Sequence, residues 1–167
     1  MVELTVTYLE MTKPPEGAAL SCTIAGATVR RETLPPATYL TIWRSVGEPL
    51  RWDQRSRMSL SDLQEILSNP TTHVYILRLD GLPIGLCEFE GVSQANVELT
   101  NFGLIPEAQG QRLGPYLLDH ALREIWAYPT QRIWLHTDTW DHPKAIAIYQ
   151  RAGFDIYKRN QEHVPDR

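Results

Sequence analysis

The segment that most constrains this chain is a turn of small and polar residues between an apolar strand and an amphipathic helix. The strand ends at Leu104, and the helix runs on through residues 113–118. Glycine in such a turn removes side-chain bulk where the backbone must approach a ligand. The first N–H groups of a helix lack intrahelical partners and carry partial positive charge. The turn residues are Gln109, Gly110, Gln111, Arg112, Leu113 and Gly114. The segment therefore predicts an anion site of a kind that suits a diphosphate.

Glycine turns between strands and helices also occur for steric reasons alone. The neighbouring segments are therefore needed to judge whether this turn binds an anion. Downstream, residues 145–154 have the spacing Ala-x-x-x-Tyr-x-x-x-Gly-Phe, with its tyrosine at Tyr149. Upstream, Glu98 stands six positions before Leu104, which ends the strand. Both segments, and the spacing Gln109-x-x-Arg112-x-Gly114, resemble signatures of the GNAT N-acetyltransferase superfamily. Together they cover Val97 to Phe154.

The resemblance implies a fold and a reaction. The expected fold is a single α/β domain over residues 1–167, with a mixed sheet of six or seven strands and about four helices. The sheet would be splayed around acyl-CoA between the strand ending at Leu104 and a strand at residues 132–137. The expected activity is acetyl transfer from acetyl-CoA to a primary amine by direct attack in a ternary complex. The alternative is a non-catalytic sensor or interaction module that binds acyl-CoA.

Local patterns predict the elements around this centre. Alternating residues from Val2 to Leu9 predict an edge strand. The pair Asp80-Gly81 between two apolar runs predicts a hairpin. A helix capped by Ser59 or Ser61 should end at Asn69, before a proline. Residues 22–29 could form a short strand, and a helix should start near residue 37, after two prolines. The chain should therefore combine an antiparallel meander with a parallel βαβ unit.

The resemblance also assigns a general base. It places Glu98 at the position of the family glutamate, from which a carboxylate takes the amine proton directly or through water. A solvated strand residue is the alternative reading of Glu98. Glu88 and Glu90 share one face of the preceding strand, and either of them, or His136, could serve instead.

Three further roles follow from the resemblance. The backbone N–H of Phe102 would stabilise the thioester oxygen, and Leu104 would hold pantetheine by backbone pairing. Asn101 and Gly103 are consistent with a strand irregularity there, because glycine in a strand often marks a bulge or a close approach. Tyr149 would protonate the leaving thiolate and contact the cofactor, since a phenol with a pKa of ~10 keeps its proton at neutral pH. Packing is the alternative role for this tyrosine.

The turn residues 109–114 would bind the pyrophosphate, but two positions depart from the family pattern. Arg112 stands where the family usually has glycine, so its side chain either crowds the pyrophosphate or pairs with a phosphate. His142 stands where the family has an asparagine that helps to hold the cofactor, and a role at the start of a helix is equally open. A metal site from His136, Asp138 and His142 is not expected.

Composition limits the remaining possibilities. A formal net charge of −4 gives no general attraction to nucleic acid or to an anionic membrane. Cys22 and Cys87 form no CxxC pair, so we expect no disulfide framework, and a cytoplasmic protein. No apolar run approaches the ~20 residues of a membrane span, and no basic segment precedes an apolar one at the N-terminus. We therefore expect no membrane or nucleic-acid partner, while a homodimer stays open.

The acceptor amine cannot be identified from these patterns. The segment containing Trp43, Arg51, Trp52 and Arg55 is rich in aromatic and basic residues. It could border an acceptor pocket for a carboxylate or an aromatic group. A packed structural loop is an equal alternative.

Overall fold

A mixed sheet of seven strands organises the fold in the computed structural model, which describes residues 1–166. The strands are β1 Val2–Met11, β2 Ala27–Arg31, β3 His73–Leu79, β4 Leu82–Glu90, β5 Asn96–Leu104, β6 Arg132–Asp138 and β7 Asp155–Val164. Their order in the sheet is β2-β3-β4-β5-β6-β1-β7. The helices are α1 Pro36–Gly47, α2 Gln54–Arg57, α3 Leu60–Ser68, α4 Leu113–Trp126 and α5 Ala145–Ala152. Short 3₁₀ turns occupy Glu48–Leu50 and Pro106–Ala108.

The β5 and β6 strands form the only parallel pair of this sheet within residues 1–166, and they separate along their length. Their register runs from Asn96 opposite Arg132 to Glu98 opposite Trp134 and stops there. On its other side, β5 stays paired with β4 as far as Leu104. The sheet is therefore splayed between β5 and β6, which confirms the expected α/β architecture.

Several local predictions are confirmed. Asp80 and Gly81 both have positive φ values, 49° and 84°, as a tight hairpin requires. Ser59 caps α3 by accepting a hydrogen bond from the Asp62 N–H at 3.1 Å, and α3 ends at Ser68, ahead of Pro70. Local sequence signals were sufficient here because each of these features involves residues that are close in the chain.

Two expectations are corrected. The β1 strand is not an edge strand, because β7 continues to Val164 and covers its outer side. Alternation of apolar and polar residues predicts a strand but does not identify its neighbours. The helix count agrees with the expected fold: the described residues contain four helices of eight or more residues and the short helix α2 at Gln54–Arg57. The strand expected within residues 22–29 lies at Ala27–Arg31.

The β5 strand is irregular near the expected place, for a reason that differs from the expected one. Glu88 lies opposite Asn101 while Phe89 lies opposite Leu99, so Thr100 is the extra residue of a bulge. Glycine at position 103 is explained by packing instead, because a Cβ atom there would lie 2.5 Å from the Val46 side chain of α1. Helix α1 therefore lies directly on β5.

Helices cover both faces of the sheet. On one face, α1 and α3 pack on β3 and β4 in a buried cluster that includes Tyr39, Trp43, Leu63 and Ile76. On the other face, α4 contributes to a larger cluster, which includes Leu117 and Leu122. Helix α5 contacts α4. No helix in the described part of the chain is long and apolar enough to span a membrane.

A buried histidine lies in β3, remote in the sheet order from the splay. His73 is 2% exposed, and its Nδ1 atom is 3.2 Å from the Tyr75 hydroxyl oxygen. Its ring contacts that of Tyr128 edge-on, with 5.3 Å between the ring centroids. Burial, together with the nearby charge of Arg31, lowers the pKa of His73 to about 4. The imidazole is therefore neutral in the folded protein at neutral pH.

This histidine predicts an acid-sensitive fold. Its unfolded pKa is about 6.5, so below that pH the unfolded chain binds a proton that the folded chain does not. The free energy of unfolding should fall as the pH falls from 6.5 to 4, by on the order of 3 kcal/mol for this group. Chemical denaturation at several pH values measures this free energy of unfolding. His73→Gln should show a shallower loss across that window, and equal slopes for both proteins would contradict the prediction.

Candidate active site

The separation of β5 from β6 opens a cleft with a volume of about 790 Å³. Its walls come from the ends of β5 and β6, the N-terminus of α4, helix α5 and the segment between α1 and α2. The sequence-predicted residues that line it are Phe102, Leu104, Gln109, Gly110, Arg112, Leu113, Gly114, His142 and Tyr149. Glu98 and Gln111 are outside the lining. The structure thus gathers most of the predicted site into one cleft.

The N-terminus of α4 faces this cleft without a side-chain cap. Arg112 is the N-cap residue, and its side chain accepts no hydrogen bond from the first turn. A Cβ atom on Gly114 would lie 3.8 Å from the side chains of Leu104 and Phe102, so the helix start lies close to the end of β5. The first N–H groups are therefore available to an external acceptor, in a place where helix N-termini attract anions. This chemistry fits the diphosphate of a CoA thioester.

The backbone at Arg112 explains why glycine suits this position. Its φ of 62° lies in the left-handed region, which costs a residue with a Cβ roughly 1 kcal/mol. Gly110, two residues earlier, also has positive φ, at 80°. The Arg112 side chain is exposed and lines the cleft. The arginine therefore carries a backbone cost and places a cation beside the helix terminus.

Tyr149 projects from α5 into the cleft between two aromatic rings. Its ring centroid is 5.7 Å from that of Phe102 and 5.8 Å from that of Phe154. The residue is 6% exposed and lines the cleft. Burial raises the pKa of Tyr149 well above 10, and the carboxylate of Asp141 raises it further. The phenol is therefore protonated at neutral pH and can donate to a group in the cleft.

Glu98 lies at the point where the splay begins. Its Cα is paired with Trp134 on β6 and with Glu90 on β4. The Glu98 side chain is 28% exposed, and its Oε2 atom is 3.8 Å from Nε2 of His136, which does line the cleft. Partial burial raises the pKa of Glu98, and Glu90 adds to the rise while His136 opposes it. A carboxyl with a raised pKa is a stronger proton acceptor once it is ionised.

The other two carboxylates considered as bases form an ion cluster with Arg55, in which Glu88 is buried and Glu90 is partly exposed. Glu88 is fully buried, accepts a hydrogen bond from the Tyr39 hydroxyl, and lies 2.5 Å from the Arg55 guanidinium. Glu90 lies 3.1 Å from the same guanidinium. Because both oxygens of Glu88 are engaged away from solvent, its arrangement is structural. The cluster ties α1 and α2 to β4.

The residues of the aromatic and basic segment, Trp43, Arg51, Trp52 and Arg55, lie in different surroundings. The Arg55 charge is matched by carboxylates, so this residue is a packed structural one. Trp43 is fully buried, and its Nε1 donates to Oδ1 of Asn101 at 3.1 Å. Trp52, by contrast, lines the cleft. Arg51 lies over the Trp140 ring, 5.1 Å from its centroid, and forms an ion pair with Asp166.

The turn before α5 contains a residue that sequence reasoning missed. Asp141 accepts hydrogen bonds from the Thr137 hydroxyl, from the Asp138 N–H at 3.2 Å and from Trp52 Nε1 at 3.4 Å. An aspartate three or four residues from local donors suggests a turn, but nothing in the sequence indicates the distant tryptophan. His142 accepts a hydrogen bond from the Lys144 N–H at 3.1 Å through Nδ1, which is a local role at the helix start. Within residues 1–166, no group of three His, Cys, Asp or Glu side chains could hold a metal ion.

Comparisons with known proteins agree with this geometry. The family model of the acetyltransferase (GNAT) family matches residues 38–154. A Bacillus subtilis protein is 29% identical over 89 residues and is provisionally named a ribosomal protein bS18-alanine N-acetyltransferase. That match covers 53% of this chain and 58% of the Bacillus protein.

Solved structures share the fold at low identity. A GNAT protein from Sphaerobacter thermophilus has a TM-score of 0.70 and 20% identity, over 93% of this chain and 49% of that one. A tandem GNAT protein from the clavulanic acid biosynthesis pathway has a TM-score of 0.65 and 20% identity, over 93% and 51%. An aminoglycoside acetyltransferase from a soil metagenome has a TM-score of 0.62 and 13% identity, over 76% and 87%. This chain thus spans about half the length of the first two structures.

The family model matches most of the length of this chain. The chain therefore belongs to the GNAT acetyltransferase family.

Proposed function

We propose that this protein is an N-acetyltransferase that uses acetyl-CoA and a primary amine in a ternary complex. The observation that carries the proposal is the cleft itself, in which an uncapped helix N-terminus and the buried phenol of Tyr149 face the same space. One feature suits an anionic diphosphate and the other suits a leaving thiolate. The non-catalytic acyl-CoA-binding module is the second candidate, because Arg112 departs from the family glycine.

The donor would be held mainly by backbone groups. The first N–H groups of α4, with Gly110 and Gly114 beside them, would bind the pyrophosphate, and Arg112 would add a side-chain cation. The β5 backbone at Leu104 has lost its β6 partner and would pair with pantetheine. Gln109, Gln111, Leu113 and His142 complete the proposed donor site.

The proposed reaction converts the thioester bond of acetyl-CoA into an amide bond. The amine nitrogen bonds to the thioester carbonyl carbon, and the carbon–sulfur bond breaks. Glu98 takes the amine proton, directly or through a water, and Tyr149 gives a proton to the departing thiolate. The N–H of Phe102 would stabilise the negative charge on the carbonyl oxygen. The raised pKa of Tyr149 keeps its phenol protonated for this step, and the raised pKa of Glu98 makes its carboxylate a stronger proton acceptor.

Two measurements made side by side test the function. One is the release of CoA from acetyl-CoA with a panel of amines, beginning with peptides that start with alanine and continuing with aminoglycosides and small amines. The other is the equilibrium binding of CoA. Binding with amine-dependent release supports the enzyme, whereas binding without release under any acceptor supports the binding module. Absence of CoA binding contradicts both.

The anion site predicts a charge-specific defect at Gly114. Gly114→Glu should weaken CoA binding by about 10-fold or more, because it places a negative charge at the helix start that binds the pyrophosphate. Gly114→Gln has the same size without the charge and should weaken binding less. Gly114→Ala should bind normally, since its Cβ makes only ordinary contacts at 3.8 Å. Calorimetry on folded variants measures this, and equal affinities for the Glu and Gln variants would contradict the anion site.

The departure at Arg112 predicts opposite effects on folding and binding. Arg112→Gly should raise the free energy of unfolding by roughly 1 kcal/mol, because glycine adopts the left-handed conformation without steric cost. CoA affinity should fall about 3- to 10-fold at low salt and become less salt-sensitive, because a phosphate partner is lost. Arg112→Lys keeps the charge and serves as the control. Unchanged affinity across salt concentrations would show that the guanidinium does not contact phosphate.

The proton path predicts that acid and base variants respond differently to pH. Tyr149→Phe keeps the ring and should lower the maximal rate by ~10²–10⁴ at every pH, with acetyl-CoA affinity near wild type. Glu98→Gln should lose most activity at low pH and recover as the pH approaches the pKa of the amine, since solvent then replaces the base. Because the pKa of Glu98 is raised, the acid limb of the wild-type profile should lie above pH 4.5.

Steady-state rates across pH with the identified acceptor make this comparison. Tyr157→Phe, at an exposed tyrosine of β7, is the matched control for the acid. Glu90→Gln and His136→Gln test the alternative bases. Wild-type rates for both Tyr149→Phe and Glu98→Gln would remove these two residues from the mechanism.

A further inference from the structure

The two strands that separate at the cleft are linked again by side chains. On the β5 side, Asn101 accepts the hydrogen bond from Trp43 of α1 at 3.1 Å. The Trp43 ring contacts the Trp52 ring, with 5.6 Å between centroids. On the β6 side, Trp52 donates to Asp141, which accepts a hydrogen bond from Thr137. We call the three linking side chains, Trp43, Trp52 and Asp141, the brace.

The packing around Trp52 fixes its position. A Cβ atom on Gly47 would lie 2.4 Å from the Trp52 ring, so the indole rests against the backbone of α1. A Cβ atom on Gly103 would lie 3.8 Å from the same ring, so the indole also lies over β5. Two glycines, one in a helix and one in a strand, leave the space that this indole fills.

The Asp141 end of the brace is fixed by charge-assisted hydrogen bonds. One carboxylate oxygen accepts from the Thr137 hydroxyl and from the Asp138 N–H, and the other accepts from Trp52. Hydrogen bonds to an ionised carboxylate are stronger than those between neutral groups. The Asp141 carboxylate also raises the pKa of Tyr149, so it lies near the phenol.

The brace matters because β5 and β6 have no backbone pairing to each other at the cleft. No β5–β6 register exists beyond Glu98 and Trp134 within the described chain, and each strand is paired there only on its outer side, with β4 or β1. Trp52 and Asp141 line the cleft together with Phe102 and Tyr149, the residues proposed to contact the thioester. Side chains that reach from one strand to the other are therefore the direct links between β5 and β6 at that level.

We propose that Trp52 and Asp141 are positioning residues that hold β5 and β6 at the separation that suits an acetyl thioester and disfavours longer acyl groups. The inference rests on the proposed function for its substrate, but the brace itself is a property of the free protein. Loosening it should widen the cleft and relax the choice of donor. Trp52→Phe keeps an aromatic ring and removes the N–H donor, while Asp141→Asn keeps the size and removes the charge.

Amide hydrogen exchange on the free protein tests the brace without any substrate. Trp52→Phe and Asp141→Asn should each raise exchange about 10-fold in residues 101–104 and 135–138, with little change in β3 and β4. Trp126→Phe makes the same substitution on α4, outside the cleft lining and at an indole N–H with no hydrogen-bond partner, and should leave exchange of these residues unchanged. Unchanged exchange at both strands in both brace variants would overturn the proposal, whatever the activity.

The ratio of kcat/KM for propionyl-CoA to that for acetyl-CoA tests the consequence. This ratio should rise about 5- to 10-fold in each brace variant and not at Trp126→Phe, and the double variant should differ little from either single one. A lower folded fraction reduces both rates equally and leaves the ratio unchanged. An unchanged ratio with wild-type acetyl transfer would overturn the role in donor choice. If the wild-type protein transfers no acetyl group, the proposed function is contradicted instead. The hydrogen-exchange measurement then tests by itself whether the brace holds the two strands.

Discussion

The loss of hydrogen bonding between β5 and β6 after Glu98 and Trp134 is the constraint on which the rest of the site depends. Backbone N–H and C=O groups need partners, and the edges that these strands turn toward each other have none in the ladder beyond that point. A ligand with its own amide groups can satisfy them, as a pantetheine arm does. The helix N-terminus of α4 presents further unpaired N–H groups to the same space. Backbone geometry, more than side-chain chemistry, thus defines the proposed donor site, which explains how it can tolerate an arginine at a glycine position.

The basic side chains in and near the cleft differ in whether the protein already matches their charge. Arg112, Lys144 and Arg151 line the cleft near the N-terminus of α4 and along α5, where an anionic donor would lie. Arg55 lies outside the cleft lining and is paired with Glu88 and Glu90, so its charge is matched inside the protein. A buried guanidinium that is already paired has no capacity to hold a substrate carboxylate. The basic residues of the segment between α1 and α3 are therefore poor evidence for an anionic acceptor, although their number in the sequence suggested one.

Sequence could predict the features whose causes are local or carried by a family pattern. The Asp80-Gly81 hairpin, the Ser59 cap and the strand-turn-helix unit around Gly110 belong to this class, because the residues that create each feature are adjacent in the chain. The place of β1 between β6 and β7 was missed because alternation is the same in edge and interior strands. The contact of Trp52 with Asp141 joins residues 89 positions apart, and no local pattern indicates it. The left-handed backbone at Arg112 could have been expected from the family glycine, since glycine often marks such positions.

The placement of Glu98 and Tyr149 gives each group a different reason for its protonation state. Tyr149 is enclosed by aromatic rings and lies near a carboxylate, and both surroundings oppose formation of a phenolate. Partial burial raises the pKa of Glu98 and the nearby His136 opposes the rise, so its carboxylate is more basic than that of an exposed glutamate. Two titratable groups whose surroundings separate their pKa values in this way are suited to opposite roles, one as a donor and one as an acceptor of protons. Because the aromatic enclosure of Tyr149 and the position of Glu98 both depend on where β5 leaves β6, the same divergence that opens the cleft also gives these two residues their different surroundings.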